Sequence, residues 1–181
     1  CAAISLNFGG FFVYVLSAPV FLMQHLGVHE TGFLWLFGPA MAGMIGGSWL
    51  SGRLAGKISF SRTIALGYLL MAIAAIANLG LNLALPPALP WSVMPVFVYT
   101  LGMSLTMPCL SILALDPFPA QRGLAASCQS FFQSSFNTVI AALIAPALWA
   151  STLSLAWGMA GMMAIGGIAA LAHQKLLPRP K

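Results

Sequence analysis

Three amide side chains recur at steps of four residues in an otherwise apolar part of the chain. They are Gln129, Gln133 and Asn137, within the segment DPFPAQRGLAASCQSFFQSSFN that runs from residue 116 to 137. Residues four apart share one face of a helix, so the three amides form a single stripe. In hydrocarbon their donors and acceptors would be unpaired. We therefore expect the stripe to face protein or a water-filled space, where it could hydrogen bond an organic solute.

Other neutral polar and aromatic side chains occur in the remaining apolar stretches. Amides, hydroxyls and rings without a fixed charge suit a neutral or amphipathic organic solute better than a bare ion. Hydrogen bonding between neighbouring helices is the alternative role for such side chains, and the residues alone leave it open. The predicted binding set consists of Asn7, Phe11, Tyr14, Thr100, Ser104, Gln129, Gln133 and Asn137.

The composition indicates what class of protein carries these residues. Of the 181 residues, 60% are hydrophobic and 5% are charged, and the mean hydropathy is +0.97. A soluble domain has roughly a quarter of its residues charged, so this chain cannot cover a water-facing surface. The sequence therefore predicts an all-α integral membrane protein in contact with membrane lipid.

Six apolar segments have the length that crosses about 30 Å of hydrocarbon at about 1.5 Å per residue. We interpret the 181 residues as one domain of six transmembrane helices. In the second helix, Gly43 and Gly47 form a pair of small residues that lets another backbone come close. The six spans are predicted at 3–24, 33–53, 63–84, 92–114, 121–149 and 152–173.

The cationic residues predict how these spans are oriented. All seven fall in loops or ends on one side of the predicted bundle. By the positive-inside rule that side is cytoplasmic, which places both chain ends in the cytoplasm. They are spread over separate loops without a basic aromatic face, so we expect no nucleic-acid partner. They are Arg53, Lys57, Arg62, Arg122, Lys175, Arg179 and Lys181.

The reactive side chains do not indicate catalysis. Glu30 and Asp116, the two acids, lie at span ends, and Ser48 has no histidine at comparable depth. The three cysteines lack metal-ligand spacing, and no glycine-rich phosphate-binding loop occurs. We predict that the chain is not an enzyme and needs no cofactor or metal. A proton pump needs a titratable group inside the membrane, which this chain does not show.

The polar residues follow a pattern that indicates an internal repeat. The triplet at residues 12–14, Phe-Val-Tyr, recurs at residues 97–99. Spans one and four carry polar stripes, as do two and five to a lesser degree, whereas three and six are plain. Two three-helix units of opposite topology would produce this pattern.

Two stretches carry a resemblance to a known family. They are FFVYVLSAPV at residues 11–20, and a proline-rich turn leading into RGLAASCQSFFQ at residues 122–133. With six spans and a basic loop after the second, the chain resembles the C-terminal half of a major facilitator superfamily transporter. It is similar in particular to the Bcr/CflA group of bacterial drug-resistance exporters. The chain begins without Met inside an apolar run, so we expect an N-terminal half to precede it.

The resemblance implies a fold and a function. The spans would correspond to helices seven to twelve of a proton-coupled multidrug efflux antiporter in the bacterial inner membrane, conferring antibiotic resistance. Spans one, two, four and five would line a central cavity for a small organic substrate, with three and six outside. The carboxylates that couple transport to protons would lie in the missing half.

The resemblance also implies a cytoplasmic gating loop formed by Arg53, Lys57 and Arg122. The superfamily has a Gly-x-x-x-Asp-Arg motif after the second span of each half. Here Gly52 matches that motif, but Gly56 replaces the acid and Lys57 replaces the arginine. Charges in such a loop dock helix ends across the interface between halves and so favour one conformation.

Two alternative functions remain open. An importer of a sugar, nucleoside or amino acid would share the fold, and the direction of solute accumulation in inverted vesicles distinguishes it from an exporter. A six-helix membrane module that packs on a partner without transport would share only the composition.

Overall fold

The computed structural model describes residues 2–25, 33–84 and 91–176, with backbone alone at 24–25 and 173–176. The described residues are helical, with turns between helices and no strand, which confirms the all-α prediction. Cys1, Glu30, Arg179 and Lys181 lie outside the described residues. The helices are α1 (Ala2–Leu16), α2 (Leu34–Leu54), α3 (Phe60–Ala84), α4 (Met94–Leu115), α5 (Arg122–Val139), α6 (Ala145–Leu148) and α7 (Thr152–Leu176).

Four helical segments within the described ranges are long and apolar enough to cross a membrane. The chain is therefore a multi-pass membrane protein. α1 is apolar but only 15 residues long, and the 21 residues of α2 include five glycines. The count of six spans stays a prediction. The four segments are Phe60–Ala84, Met94–Leu115, Pro119–Leu148 and Thr152–Ala172.

Two of the predicted spans are interrupted helices. After α1 the chain turns at Ser17, and the π-helical turn Val20–His25 follows Pro19. Predicted span five consists of the 3-10 turn Pro119–Gln121, α5, the π-helical turn Ile140–Ile144 and α6, in which Pro146 lies. Proline lacks a backbone N–H and crowds the preceding turn, which explains the irregularities beside Pro19 and Pro146.

α4 is the central helix of the bundle, because it packs against α1, α2 and α3. On the α2 side, a Cβ added to Gly43 or Gly47 would overlap the backbone of α4. On the α3 side, a Cβ on Gly67 would lie 2.6 Å from the carbonyl oxygen of Gly102. Only glycine permits such close approach, so the prediction that Gly43 and Gly47 form a helix contact is confirmed.

Buried or partly buried hydrogen bonds join α1 to α3 and α4. The Asn78 amide donates to the Tyr14 hydroxyl at 2.6 Å, and the Asn7 amide donates to the Tyr68 hydroxyl at 2.8 Å. The Tyr99 hydroxyl donates to the Asn7 carbonyl oxygen at 3.0 Å. α3 is therefore not the plain helix that the sequence predicted, since it carries the partners of two polar residues of α1.

We expect Gly67→Leu to lower the free energy of unfolding by about 1–3 kcal/mol or more, because the side chain has to displace the α4 backbone. Gly80→Leu on the same helix is the matched control, since nothing lies within 4 Å of its Cβ position. Circular dichroism during unfolding by SDS in mixed micelles measures the free energy of unfolding of both variants. Equal stability of the two variants would contradict the α3–α4 packing.

The Asn78–Tyr14 hydrogen bond is testable with a double-mutant cycle of Asn78→Ala and Tyr14→Phe. We expect a coupling energy of about 0.6–1.7 kcal/mol, the range for hydrogen bonds between helices in membranes. The same SDS unfolding assay measures it. Additivity of the two single changes to within about 0.3 kcal/mol would show that the bond does not contribute.

Candidate functional site

The amide stripe lies on the less exposed face of α5. Gln129, Gln133 and Asn137 are each half-buried, whereas Leu124 and Phe131 on other faces are 63% and 69% exposed. No residue of α5 is fully buried. α5 is therefore at the margin of the bundle and turns its polar stripe toward α1 and α4.

The stripe makes a single side-chain hydrogen bond to the part of the chain that the structure describes. The Gln129 Nε2 donates to the Ser111 hydroxyl on α4 at 3.2 Å. The Gln129 Oε1 and Asn137 Oδ1 are buried without a protein partner, and Gln133 has no partner among the described residues. Buried acceptors without partners are costly, so this face is not a satisfied helix seam.

α5 contacts its neighbours unevenly along its length. At its far end, Phe136 and the adjoining Ile140 pack against Gly9 of α1. At its start it leaves a cavity of about 220 Å³ against the end of α4, lined by Gln121, Cys128 and Gln129 among apolar side chains. A second cavity of about 330 Å³ lies beside the first and shares Ala114 and Phe118 with it. The 220 Å³ cavity therefore lies at the basic end of α5, where Arg122 begins the helix.

Of the predicted binding set, only Gln129 lines the 220 Å³ cavity; five residues of the set lie inside the bundle. Thr100 is buried and donates to the Phe97 carbonyl oxygen at 3.0 Å. The Ser104 hydroxyl joins α4 to α2 through the Met44 carbonyl oxygen at 2.9 Å. In this conformation the five occupy helix contacts, and their role in binding stays a prediction. The five are Asn7, Phe11, Tyr14, Thr100 and Ser104.

The three residues of the predicted gating loop make separate interactions. The Arg53 guanidinium lies 4.3 Å from the centre of the Trp49 ring, and Lys57 is exposed in the turn after α2. Arg122 and Asp116 form an exposed ion pair at 3.8 Å, a kind that contributes little stability. The three cations do not share a partner.

Gly56 has a positive φ of 77°, the left-handed conformation that glycine adopts most readily. This is the position at which the superfamily motif has its acid. Glycine adopts this backbone conformation without steric cost, and no Cβ contact within 4 Å among the described residues excludes a larger residue there.

Two contacts were missed from the sequence. Tyr68, a ring with a polar tip within an apolar span, is the partner of Asn7. The Trp149 indole nitrogen donates to the Ser17 hydroxyl at 3.0 Å, joining the turn after α6 to the interruption in the first helix. These partners are 61 and 132 positions apart, and the spacing of polar residues does not predict contacts over such separations.

Within the described ranges, no three His, Cys, Asp or Glu side chains cluster closely enough to hold a metal ion. The polar groups that line the 220 Å³ cavity, together with Ser111 beside Gln129, are amides, a hydroxyl and a thiol. They can donate and accept hydrogen bonds but carry no fixed charge. Such a site can bind and orient a neutral or amphipathic molecule.

Comparisons with known proteins identify the family. Residues 1–140 match the family model described as Major Facilitator Superfamily. No curated protein and no solved structure matches the chain. Members of this superfamily are transporters and not enzymes. The match covers most of the chain and agrees with its apolar, all-helical fold, and the chain therefore belongs to the major facilitator superfamily.

Proposed function

We propose that this chain is the C-terminal, six-helix half of a proton-coupled exporter of drugs and other small organic molecules, of the Bcr/CflA type. It works by alternating access in the bacterial inner membrane, with both chain ends in the cytoplasm. The observation that carries the proposal is the amide stripe of α5, whose three side chains make one hydrogen bond to the described residues.

The unpaired amides favour a wet surface. In hydrocarbon or in a dry helix contact, the Gln129 Oε1 and the Asn137 Oδ1 would each lose a hydrogen bond without replacement. Water or a solute in a chamber provides the missing partners. Because the stripe is neutral, the solute it suits is neutral or amphipathic, with hydrogen-bonding groups on an apolar body.

A second half is needed to complete this chamber. Large apolar side chains of α2 and α5 are exposed, including Trp35, Ile45 and Phe131. We assign part of this surface to contact with the N-terminal half and the rest to lipid. Rocking of the halves then exposes the chamber to each side of the membrane in turn.

We assign proton coupling to the N-terminal half. Asp116 is exposed at the end of α4, and no acid lies within the described helices. A coupling carboxylate must change its ionisation inside the membrane as the conformation changes. The half described here then supplies substrate contacts and the basic end that faces the cytoplasm.

The wetness of the stripe is testable in the complete transporter in liposomes, because the second half completes the chamber. With Cys1 and Cys128 replaced by serine, we expect Gln133→Cys to react with a charged, water-soluble thiol reagent about tenfold faster than Phe131→Cys, because the thiolate forms only where water is present. Mass spectrometry of the labelled chain measures both rates. Equal rates would place the stripe in a dry environment.

Substrate binding is testable in the complete transporter. Loss of one hydrogen bond of about 0.5–1.5 kcal/mol predicts that Gln133→Leu raises the KM for drug efflux about two- to tenfold at normal expression. Thr138→Leu is the control, because the Thr138 hydroxyl bonds only within its own helix, to the Ser134 carbonyl oxygen at 3.0 Å.

Unchanged efflux with lowered stability of Gln133→Leu would instead assign the residue to packing.

Inverted vesicles test the direction of transport. Proton-driven accumulation of the drug in inverted vesicles is expected for an exporter, and uptake into right-side-out cells would indicate an importer.

A further inference from the structure

α3 and α7 pack side by side and leave a groove of about 320 Å³ between them. Its lining is almost entirely apolar, with Tyr68 as the largest side chain and Ser61 at one end. Small residues keep the groove open, and a Cβ on Gly167 would meet only the Tyr68 ring, at 3.5 Å. The small residues are Ala65, Ala72, Ala164, Gly167 and Ala170.

The groove lies on the outside of the bundle. Leu69 of α3 and Ile165 of α7 are each 56% exposed, and Ile168 at the groove is 67% exposed. In a chain that spans a membrane, an exposed apolar face of this kind contacts lipid tails. The groove therefore opens toward the bilayer.

The length of the groove matches one leaflet. Along α3 it runs from Ser61 to Ala72, and eleven residue steps (72 minus 61) cover about 16 Å at the helical rise. The hydrocarbon core is about 30 Å thick, so one leaflet contributes about half of that. A lipid chain fits this length, whereas a spanning helix of a second protein would need contact through both leaflets.

The open end of the groove carries a free positive charge. Ser61 and Arg62 are exposed in the first turn of α3, at the basic end of the bundle. Arg122 pairs with Asp116 and Arg53 lies on Trp49, whereas the Arg62 side chain has no partner among the described residues. A helix start with a neighbouring arginine favours a phosphate group.

We propose that this groove binds an anionic phospholipid, with one acyl chain between α3 and α7 and the phosphate held by Arg62 and Ser61. Basic sites between helices at the cytoplasmic surface recognise anionic headgroups. The lipid fills the groove and adds contacts between α3 and α7. This site is separate from the amide stripe, and lipid binding does not depend on what the protein transports.

Native mass spectrometry of the delipidated 181-residue chain tests the site. Phosphatidylglycerol and phosphatidylcholine with identical acyl chains are titrated separately. We expect tighter binding of phosphatidylglycerol, by about fivefold, which corresponds to one basic residue near an anionic headgroup. Arg62→Gln removes this preference. Arg53→Gln, which removes a cation already placed on Trp49, retains it.

A second pair of variants tests the groove itself. Gly167→Leu fills the groove and lowers the affinity for both lipids. Gly161→Leu on the same helix is the control, because nothing lies within 4 Å of its Cβ position, and we expect it to leave both affinities unchanged. Equal binding of the two lipids by the original chain would overturn the proposal, as would equal effects of Arg62→Gln and Arg53→Gln. Conversion of a dimer to a monomer by Gly167→Leu, with lipid retention unchanged, would assign the groove to a second copy of the chain.

Discussion

The hydrogen bonds from Asn78 to Tyr14 and from Asn7 to Tyr68 hold the first helix against the third inside an apolar bundle. A polar group buried in hydrocarbon has no water to bond, so it must find a protein partner or remain costly. The positions of α1, α3 and α4 follow this requirement together with the close glycine contacts between α3 and α4. In this conformation Asn7 and Tyr14, two residues of the predicted binding set, therefore join helices, and their role in binding stays a prediction.

α5 departs from that pattern. Its side chains are at most half-buried, and its amides are left largely unpaired although they point toward the bundle. The Asn7 Oδ1 of α1 is also buried without a partner, but on α5 two of the three amides have such an oxygen. Water or a solute beside α5 would supply the missing partners. We therefore propose that α1, α3 and α4 mainly stabilise the fold, whereas α5 lines the chamber with polar side chains.

The basic end combines two functions that we assign to different surfaces. The cavity beneath α5 opens near Arg122, and the groove between α3 and α7 opens near Arg62. In the cavity beneath α5, neutral polar groups suit a neutral or amphipathic solute. The groove between α3 and α7 is apolar, is as long as one leaflet and ends near the unpaired Arg62, and these features suit an anionic phospholipid. Arg53, placed on Trp49, contributes to neither surface.

The sequence by itself determined the helical class, the family and the common face of Gln129, Gln133 and Asn137, because these follow from composition, local motifs and the helical repeat. It also predicted that Gly43 and Gly47 would meet another backbone. Only the tertiary structure decided that Asn7, Tyr14 and Ser104 bond neighbouring helices, while the α5 amides make one hydrogen bond to the described residues, from Gln129 to Ser111. A hydrogen bond between residues 61 or 64 positions apart depends on which helices pack together. The spacing of side chains within one helix does not predict that packing.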